Sequence, residues 1–374
     1  MKILIAPNAF KGTIPADRAA ALIKEVLSQH LRQAEFQLCP IADGGDGTCL
    51  LLGKQLGLSE LQVMGLDAIG RVKLGLMFLN KSQKTVLIDV ATVSGLEGLD
   101  SALIDAKASS SYGTGLLVLE AISQGADHII LGLGGSATVD MGTGILRALG
   151  FLFLDEHGRE IPVFSPGFLS KVAYIQRSPI KHNIRFTCLC DVNNTFFGKE
   201  GAIPVFGPQK GLKDTDQQAF EEAAKRVFEL MKAKGKGALE DQPGFGAAGG
   251  IALGLSAFFP VAIKQGAHYF FERVEMEEKV KWADWVITGE GRFDRQSSAG
   301  KGSYELLQLA QQQRKKAILI TSGGEEEGIK SGFDEVVNLP ELDFSLQNIS
   351  DVAEKYLKSS LKEFLSKCDF GEED

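Results

Sequence analysis

The sequence lacks the features that mark several classes of protein. Its 374 residues carry a formal net charge of −8, and its one compact basic run is residues 314–316. This balance argues against binding of nucleic acid or an anionic membrane through bulk charge. The longest apolar window, residues 251–263, is broken by glycine, serine and proline and is too short to span a bilayer, and the N-terminal apolar run is too short for a secretory signal. We therefore expect a cytoplasmic protein without nucleic-acid or membrane partners.

Cysteine is also scarce. The five cysteines form an odd set without a C-x-x-C spacing, and Cys188 and Cys190 lie in an apolar, strand-like run. This pattern predicts reduced core thiols and disfavours a disulfide framework or a cysteine metal site.

Glycine, in contrast, is abundant and gathers where predicted strands end. The clearest case is HIILGLGGSATVDMGTGILRALG at residues 128–150, which passes from a β-branched apolar run through glycines to apolar residues at helical spacing. Glycines let backbone N–H groups approach a ligand, and the following helix directs its positive end at the same place. The stretch predicts an anion cradle at Gly134, Gly135, Ser136 and Thr138; the alternative is a tight turn without a ligand.

Charged residues follow other predicted strands in the same way. Lys11 lies between a strand at residues 2–6 and a helix, where it could meet a phosphate. Asp43 and Asp46 follow a strand at residues 35–41 and suit Mg²⁺ or a polar substrate, with an Asp-Gly turn before a capped helix as the alternative. The remaining candidates at strand or loop ends are Asp191, Lys210, Glu290, Arg292 and Asp294.

The order of predicted elements indicates two domains. Strands and helices alternate in both terminal segments, which is typical of a doubly wound parallel sheet with ligands at the carboxyl ends of its strands. Residues 72–91 alternate as in an antiparallel hairpin. We therefore expect residues 1–68 and 275–374 to form one discontinuous α/β domain, and residues 69–274 to form an inserted α/β domain that carries the glycine-rich loop.

The loops favour phosphoryl transfer over two other functions. The P-loop pattern G-x-x-x-x-G-K-[ST] is absent, whereas residues 132–137 match G-x-G-x-x-A and Asp155 follows at a suitable distance, so an NAD(P)-dependent 2-hydroxy acid dehydrogenase stays an alternative. Gly142 and Gly144, however, interrupt the helix that a dinucleotide site needs. Carboxylates for Mg²⁺, cations for phosphate oxygens and a carboxylate base are the parts of a kinase. A non-catalytic nucleotide-binding protein is a third alternative.

A series of short stretches along the chain matches the motifs of one known family. They are FKG (10–12), ADGGDGT (42–48), GTG (113–115), GGSAT (134–138), CDV (190–192), FGPQKG (206–211), GAAGG (246–250) and VITGEGR (286–292), with Asp294 after the last. Through them the chain resembles the bacterial glycerate kinases of the type I family over essentially its whole length. The resemblance implies phosphorylation of D-glycerate with ATP and Mg²⁺, with 2-phosphoglycerate favoured over 3-phosphoglycerate, by one flavodoxin-like and one restriction-enzyme-like domain. Asn8 and Ala9 stand where the family has Asp-Ser.

We assign roles within this hypothesis as follows. Asp191 is the base that takes the proton of the accepting hydroxyl, and Asp43 and Asp46 lie near Mg²⁺. Lys11 and Lys210 contact phosphate or carboxylate groups. The loop from Gly134 to Thr138 holds phosphate, and Glu290, Arg292 and Asp294 join the substrate or phosphate site. The sequence leaves a homo-oligomer open.

Overall fold

The computed structural model describes residues 1–235, 239–293, 302–322 and 332–367, which divide into two compact units. Met1–Asp43 and Ala267–Asp374 form what we call the terminal unit, and Gly44–Gly266 forms the central unit. The central unit runs from Gly44 to Gly266, whereas the sequence analysis expected an inserted domain at residues 69–274. The expected domain boundaries stay a prediction.

Within the described residues, the elements have the following bounds. The strands are β1 (Lys2–Ile5), β2 (Glu35–Leu38), β3 (Ser59–Leu66), β4 (Val72–Asn80), β5 (Thr85–Asp89), β6 (His128–Gly132), β7 (Leu152–Leu154), β8 (Tyr174–Gln176), β9 (Arg185–Leu189), β10 (Val261–Lys264), β11 (Trp285–Glu290), β12 (Lys316–Ser322) and β13 (Glu335–Leu339). The helices are α1 (Ala16–His30), α2 (Thr48–Gln55), α3 (Ala91–Ser94), α4 (Tyr112–Ser123), α5 (Thr143–Ala148), α6 (Phe168–Lys171), α7 (Ala202–Phe206), α8 (Asp214–Lys234), α9 (Ile251–Ser256), α10 (Gly266–Arg273), α11 (Met276–Trp282), α12 (Gly302–Gln312) and α13 (Ile349–Leu365).

The terminal unit contains a parallel sheet. In the described part of the chain it has five strands in the order β13-β12-β11-β1-β2, and every neighbouring pair is parallel. Numbered within the unit, this order is 2-1-3-4-5, which is that of flavodoxin-like sheets. Helices α1 and α13 contribute Leu22, Ile23 and Leu357 to a core with the strand residues Ile5 and Ile287. The predicted doubly wound α/β sheet is confirmed.

The central unit contains a mixed sheet. Its six strands, counted over the described residues, have the order β10-β9-β6-β5-β4-β3. The predicted antiparallel hairpin is confirmed, because strands β4 and β5 are antiparallel neighbours. Strand β3 was not predicted, and it pairs with β4 along its whole length, from Ser59 opposite Leu79 to Leu66 opposite Val72. This pairing explains why residues 59–66 belong to the central unit. The restriction-enzyme-like description of this unit stays a prediction.

Parallel pairing in the central unit places two loops side by side. Strands β6 and β9 are parallel neighbours, with Gly132 opposite Leu189, so the loops that follow them leave the same edge of the sheet. Behind this edge, Gly115 lets α4 pack directly on α5, because a Cβ there would lie 2.6 Å from the Cβ of Ala148. Leu131 and Ile145 are fully buried in the core beneath these loops. None of the helices in the described part of the chain has the length and apolar character of a membrane span.

Candidate active site

Three loops of the central unit come together at the carboxyl edge of its parallel strands. They are residues 44–47 before α2, residues 133–142 after β6 and residues 190–194 after β9. Gly44 has φ +85°, and a Cβ on it would lie 2.6 Å from Oδ2 of Asp191. A Cβ on Gly134 would overlap the backbone of Gly45 and Asp46. The structure therefore brings Asp46, Asp191 and the glycine-rich loop into one small region, because glycines permit these approaches.

The glycine-rich loop presents free backbone donors. The N–H groups of Gly134, Gly135 and Ser136 have no hydrogen-bond partner among the described residues, whereas Ala137 donates to the carbonyl oxygen of Ser94 at 2.9 Å. Gly135 has φ +68° and is exposed. Three consecutive free N–H groups are the arrangement that binds an anion such as phosphate. The loop fits the anion cradle expected from the sequence, and Gly134 also serves the close packing of residues 45 and 46.

Lys210 supports this loop from within the protein. It is only 3% exposed, and its Nζ donates to Ser136 Oγ at 2.8 Å and to the carbonyl oxygen of Thr138 at 3.0 Å. Burial lowers the pKa of Lys210 to about 7, and the nearby Asp140 opposes that shift. The sequence placed Lys210 among ligands of phosphate or carboxylate groups, but its observed contacts are with the loop itself. Direct contact with a ligand stays a prediction.

Thr138 has a different role from that of Ser136. The hydroxyl oxygen of Ser136 accepts a hydrogen bond from Lys210. In contrast, Oγ1 of Thr138 is buried and has no hydrogen-bond partner within the parts of the chain that the structure describes. A buried hydroxyl without a partner is costly. The hydroxyl of Thr138 can therefore form a hydrogen bond that it does not make in the described structure.

Asp140 fixes the start of α5. Its Oδ2 accepts hydrogen bonds from the N–H and Oγ of Ser111 and from the N–H of Gly144, and its Oδ1 accepts one from Gly142. Burial raises the pKa of Asp140 despite these bonds. Both of its oxygens are engaged inside the protein, so we interpret it as a structural carboxylate of the loop.

Asp46 and Asp89 lie on the side of the site formed by α2. Asp89, which the sequence analysis missed, accepts hydrogen bonds from the N–H groups of Cys49 and Leu50 at 3.0 and 2.8 Å, and burial raises its pKa to about 7. Asp46 has an exposed side chain, yet neighbouring atoms desolvate its carboxyl group enough to raise its pKa, with Glu97 adding to the shift. The sequence feature that could have identified Asp89 is its position as an aspartate at the end of the buried strand β5.

Asp191 has one carboxylate oxygen held in place. Its Oδ1 accepts the N–H of Gly266, the first residue of α10, at 2.9 Å. The residue as a whole is exposed and follows β9 closely. An oriented, accessible carboxylate fits both a base and a helix cap, which are the two roles to be separated by experiment.

The other predicted residues belong to the terminal unit, where they follow the strand ends. Asp43 is buried and accepts a hydrogen bond from Asn8 Nδ2 at 3.0 Å, so Asn8 positions this carboxylate. Lys11 is exposed in the loop after β1. Glu290 is buried at the end of β11, and Arg292 follows it on the surface. Asp294 lies outside the described residues.

The residues present are compatible with Mg²⁺ but do not form a complete cage for it. No group of three or more His, Cys, Asp or Glu side chains suited to a metal ion occurs in the described ranges. Mg²⁺ commonly takes only one or two carboxylates and completes its shell with water and substrate phosphates. Asp43 and Asp46 provide carboxylates of this kind, and their role as ligands stays a prediction.

The geometry disfavours the dehydrogenase alternative. In a dinucleotide site the helix begins within the glycine fingerprint, but here α5 begins only at Thr143. Asp155 lies in a tight turn, where it accepts the N–H groups of His157 and Arg159 and pairs with the Arg159 guanidinium. Strand β7 before it pairs with β8 in a separate two-stranded sheet of the described chain. The fingerprint match is therefore coincidental.

Comparison with known proteins gives a consistent result. A family model for the glycerate kinase family matches residues 3–368. A glycerate kinase of Halalkalibacterium halodurans is 32% identical over 363 residues, covering 94% of this chain and 95% of that protein. A glycerate 2-kinase of Escherichia coli K12 is 33% identical over 323 residues, covering 86% and 84%. A crystal structure from Salmonella typhimurium LT2 that carries the name glycerate kinase 2 superposes with a TM-score of 0.82 at 30% identity, covering 98% of this chain and 97% of that chain. The chain therefore belongs to the glycerate kinase family.

Proposed function

We propose that this protein transfers the γ-phosphoryl group of ATP to D-glycerate and forms 2-phosphoglycerate. The observation that carries the proposal is the family match over residues 3–368, supported by relatives named glycerate kinase that align over most of both chains. Membership of this family makes the protein a kinase, with ATP as its co-substrate. A cytoplasmic location and the absence of nucleic-acid and membrane partners stay predictions, as does a homo-oligomer.

The glycine-rich loop is the proposed phosphate site. Its free N–H groups at Gly134, Gly135 and Ser136 can donate to phosphate oxygens. Thr138 is a further proposed phosphate ligand, although its hydroxyl is buried in the described structure. Bound Mg-ATP supplies the transferable phosphoryl group and a metal charge that neutralises its oxygens. Lys210 keeps the loop in shape through Ser136 and the Thr138 carbonyl.

Asp191 is the proposed base. A carboxylate oxygen of Asp191 would accept the proton as the hydroxyl of glycerate attacks phosphorus, and the hydrogen bond from the N–H of Gly266 to Oδ1 helps to orient the side chain. Asp43 and Asp46 are the proposed carboxylates near Mg²⁺. Lys11, Glu290, Arg292 and Asp294 are proposed to bind the substrate or its phosphate groups, as their positions at strand ends suggest.

The choice of the 2-hydroxyl is the finer part of the proposal. It is supported by the relative of E. coli K12, which carries the name glycerate 2-kinase and covers 86% of this chain. The described contacts favour neither hydroxyl by themselves.

Release of ADP by the purified protein tests the proposal. With D-glycerate and Mg-ATP, we expect ADP to form at a rate that depends on glycerate and stops when the metal is chelated. L-Glycerate and D-lactate serve as matched controls. L-Glycerate has the opposite configuration at C2, and D-lactate lacks the 3-hydroxyl group. Nicotinamide reduction without ATP turnover would favour the dehydrogenase, and ATP binding without glycerate-dependent turnover would favour a non-catalytic nucleotide-binding protein.

A further inference from the structure

The central unit contains a cavity beside the glycine-rich loop, and Asp46, one of the proposed carboxylates near Mg²⁺, lies at its border. Its volume is about 170 Å³, and its walls come from α2, β4, β5 and the start of α3. The apolar part of the lining includes Leu50, Leu76, Phe78 and Leu87. A cavity of about 150 Å³ with apolar walls accepts a ring the size of benzene. This cavity therefore has room for a flat heterocycle, while the rest of a ligand extends outside.

The charges of the cavity exclude anionic ligands. Among the residues that the structure describes, Asp46, Asp89 and Glu97 line it together with one cation, Lys73. Three carboxyl groups against one ammonium group repel a carboxylate or a phosphate, so glycerate and the phosphate chain of a nucleotide fit this space poorly. Carboxyl groups do accept hydrogen bonds, and amino and hydroxyl groups can donate them. The lining suits an uncharged ligand that has an apolar ring face and N–H or O–H donors.

The cavity adjoins the proposed phosphate site at Asp46. The side chain of Asp46 lines the cavity and also packs against the loop, since a Cβ on Gly135 would lie 2.8 Å from Asp46 Oδ2. A ligand with its ring in the cavity can therefore place a charged chain on the free N–H groups of the loop.

We propose that this cavity binds the adenosine part of the phosphate donor, with the base between the apolar walls and the ribose at the charged mouth. The inference rests on the proposed function for the identity of the donor as ATP. Glu97 lines the cavity and can accept hydrogen bonds from the amino group or from the ribose hydroxyls, whereas Asp46 keeps its proposed role near Mg²⁺.

A variant that fills the cavity tests the inference. Leu76→Trp places a large ring in the space, so the dissociation constant for ADP and the KM for ATP should rise on the order of tenfold or more. The KM for D-glycerate at saturating ATP should change by less than about twofold. Leu74→Trp is the matched control, because Leu74 is on the same strand, is 56% exposed and does not line the cavity.

Binding and turnover distinguish failure of this inference from failure of the proposed function. Weaker ADP binding by Leu76→Trp in calorimetry, with no turnover of glycerate by any form of the protein, would keep the adenosine site and overturn the glycerate proposal. Turnover with unchanged ADP and ATP affinities in Leu76→Trp would overturn the adenosine site. A rise in the KM for D-glycerate alone would also overturn it and would assign the cavity to the acceptor.

Photolabelling of the unaltered protein gives a test that does not depend on folding of a variant. An azido-adenine analogue of ATP should label peptides that contain Thr48–Gln55 or Val72–Asn80, and ATP should block this labelling more effectively than D-glycerate does. Specific labelling confined to other peptides would overturn the proposal.

Discussion

At the scale of single residues, Asp191 is the side chain whose role is decided most cleanly by one substitution. Asp191→Asn keeps an oxygen that can accept the N–H of Gly266 and removes the carboxylate that takes a proton. If Asp191 is the base, kcat should fall by about 10²–10⁴ with little change in the affinity for ATP. Steady-state kinetics with varied ATP and D-glycerate measure both quantities.

Asp241→Asn is the matched control for that substitution. Asp241 also lies in the central unit, and its two oxygens accept the N–H groups of Phe196 and Phe197. We expect a structural carboxylate of this kind to affect the unfolding midpoint and leave kcat within a fewfold of the unaltered protein. If Asp191→Asn loses only about 0.5–2 kcal/mol of stability and keeps its kcat, Asp191 is a helix cap and not the base.

Because burial lowers the pKa of Lys210, we expect the stability of the protein to depend on pH. The pKa of Lys210 is about 7 in the folded protein, whereas the usual value for a lysine is 10.5. Between these pH values the unfolded chain binds a proton that the folded chain has lost, so the free energy of unfolding should rise with pH, by up to about 1.4 kcal/mol for each unit. Lys210→Met removes the titrating group, and the difference between the two proteins should therefore change with pH from about 7 to 10.

Denaturant unfolding at several pH values measures this difference. A constant difference between Lys210→Met and the unaltered protein across that range would show that the lysine stays protonated in the fold. The loop would then be held by a buried charge, with Asp140 as its partner, instead of by a neutral amine.

At the scale of elements, the contact between two loops depends on Gly134. A Cβ there would overlap the backbone of Gly45 and Asp46, so Gly134→Ala must push the loops apart. We expect a loss of about 1–3 kcal/mol from the overpacking, together with a fall in kcat/KM for ATP greater than tenfold. Kinetics and thermal unfolding on the same sample measure the two effects.

Gly158→Ala provides the comparison for the loop variant. Gly158 has φ +74°, and a Cβ on it would meet no atom within 4 Å, so the change costs backbone strain without a clash. It should lower the unfolding midpoint and leave kcat/KM unaltered. If Gly134→Ala behaves in the same way, the approach of the two loops matters for folding and not for activity.

Local pattern predicted many elements because their signals lie within a few residues. The sequence indicated the β4–β5 hairpin, whose residues alternate clearly. Strand β3 was missed, since its sequence SELQVMGL has no simple alternation and its identity depends on pairing with β4. The match to a dinucleotide fingerprint was misleading because a short motif does not show where the next helix begins.

At the scale of the whole molecule, the sequence indicated which loops lie together better than it indicated the contacts within them. Glycines and carboxylates at strand ends pointed to the loops that meet near Asp46 and Asp191, because parallel strands end at a common edge. The burial of Lys210 and the position of Asp89 beneath α2 depend on residues far away in the chain. Such contacts follow from packing, which spacing along the sequence does not show.

The most direct measurement for the whole protein is NMR of the product after incubation with D-glycerate, ATP and Mg²⁺. We expect a phosphorus resonance coupled to the single methine proton of 2-phosphoglycerate, appearing together with ADP. Coupling to the methylene protons would show phosphorylation of the 3-hydroxyl and contradict the proposed product. A sample that contains no phosphorylated glycerate, from a protein that is folded and binds ATP, would contradict the proposed kinase activity itself.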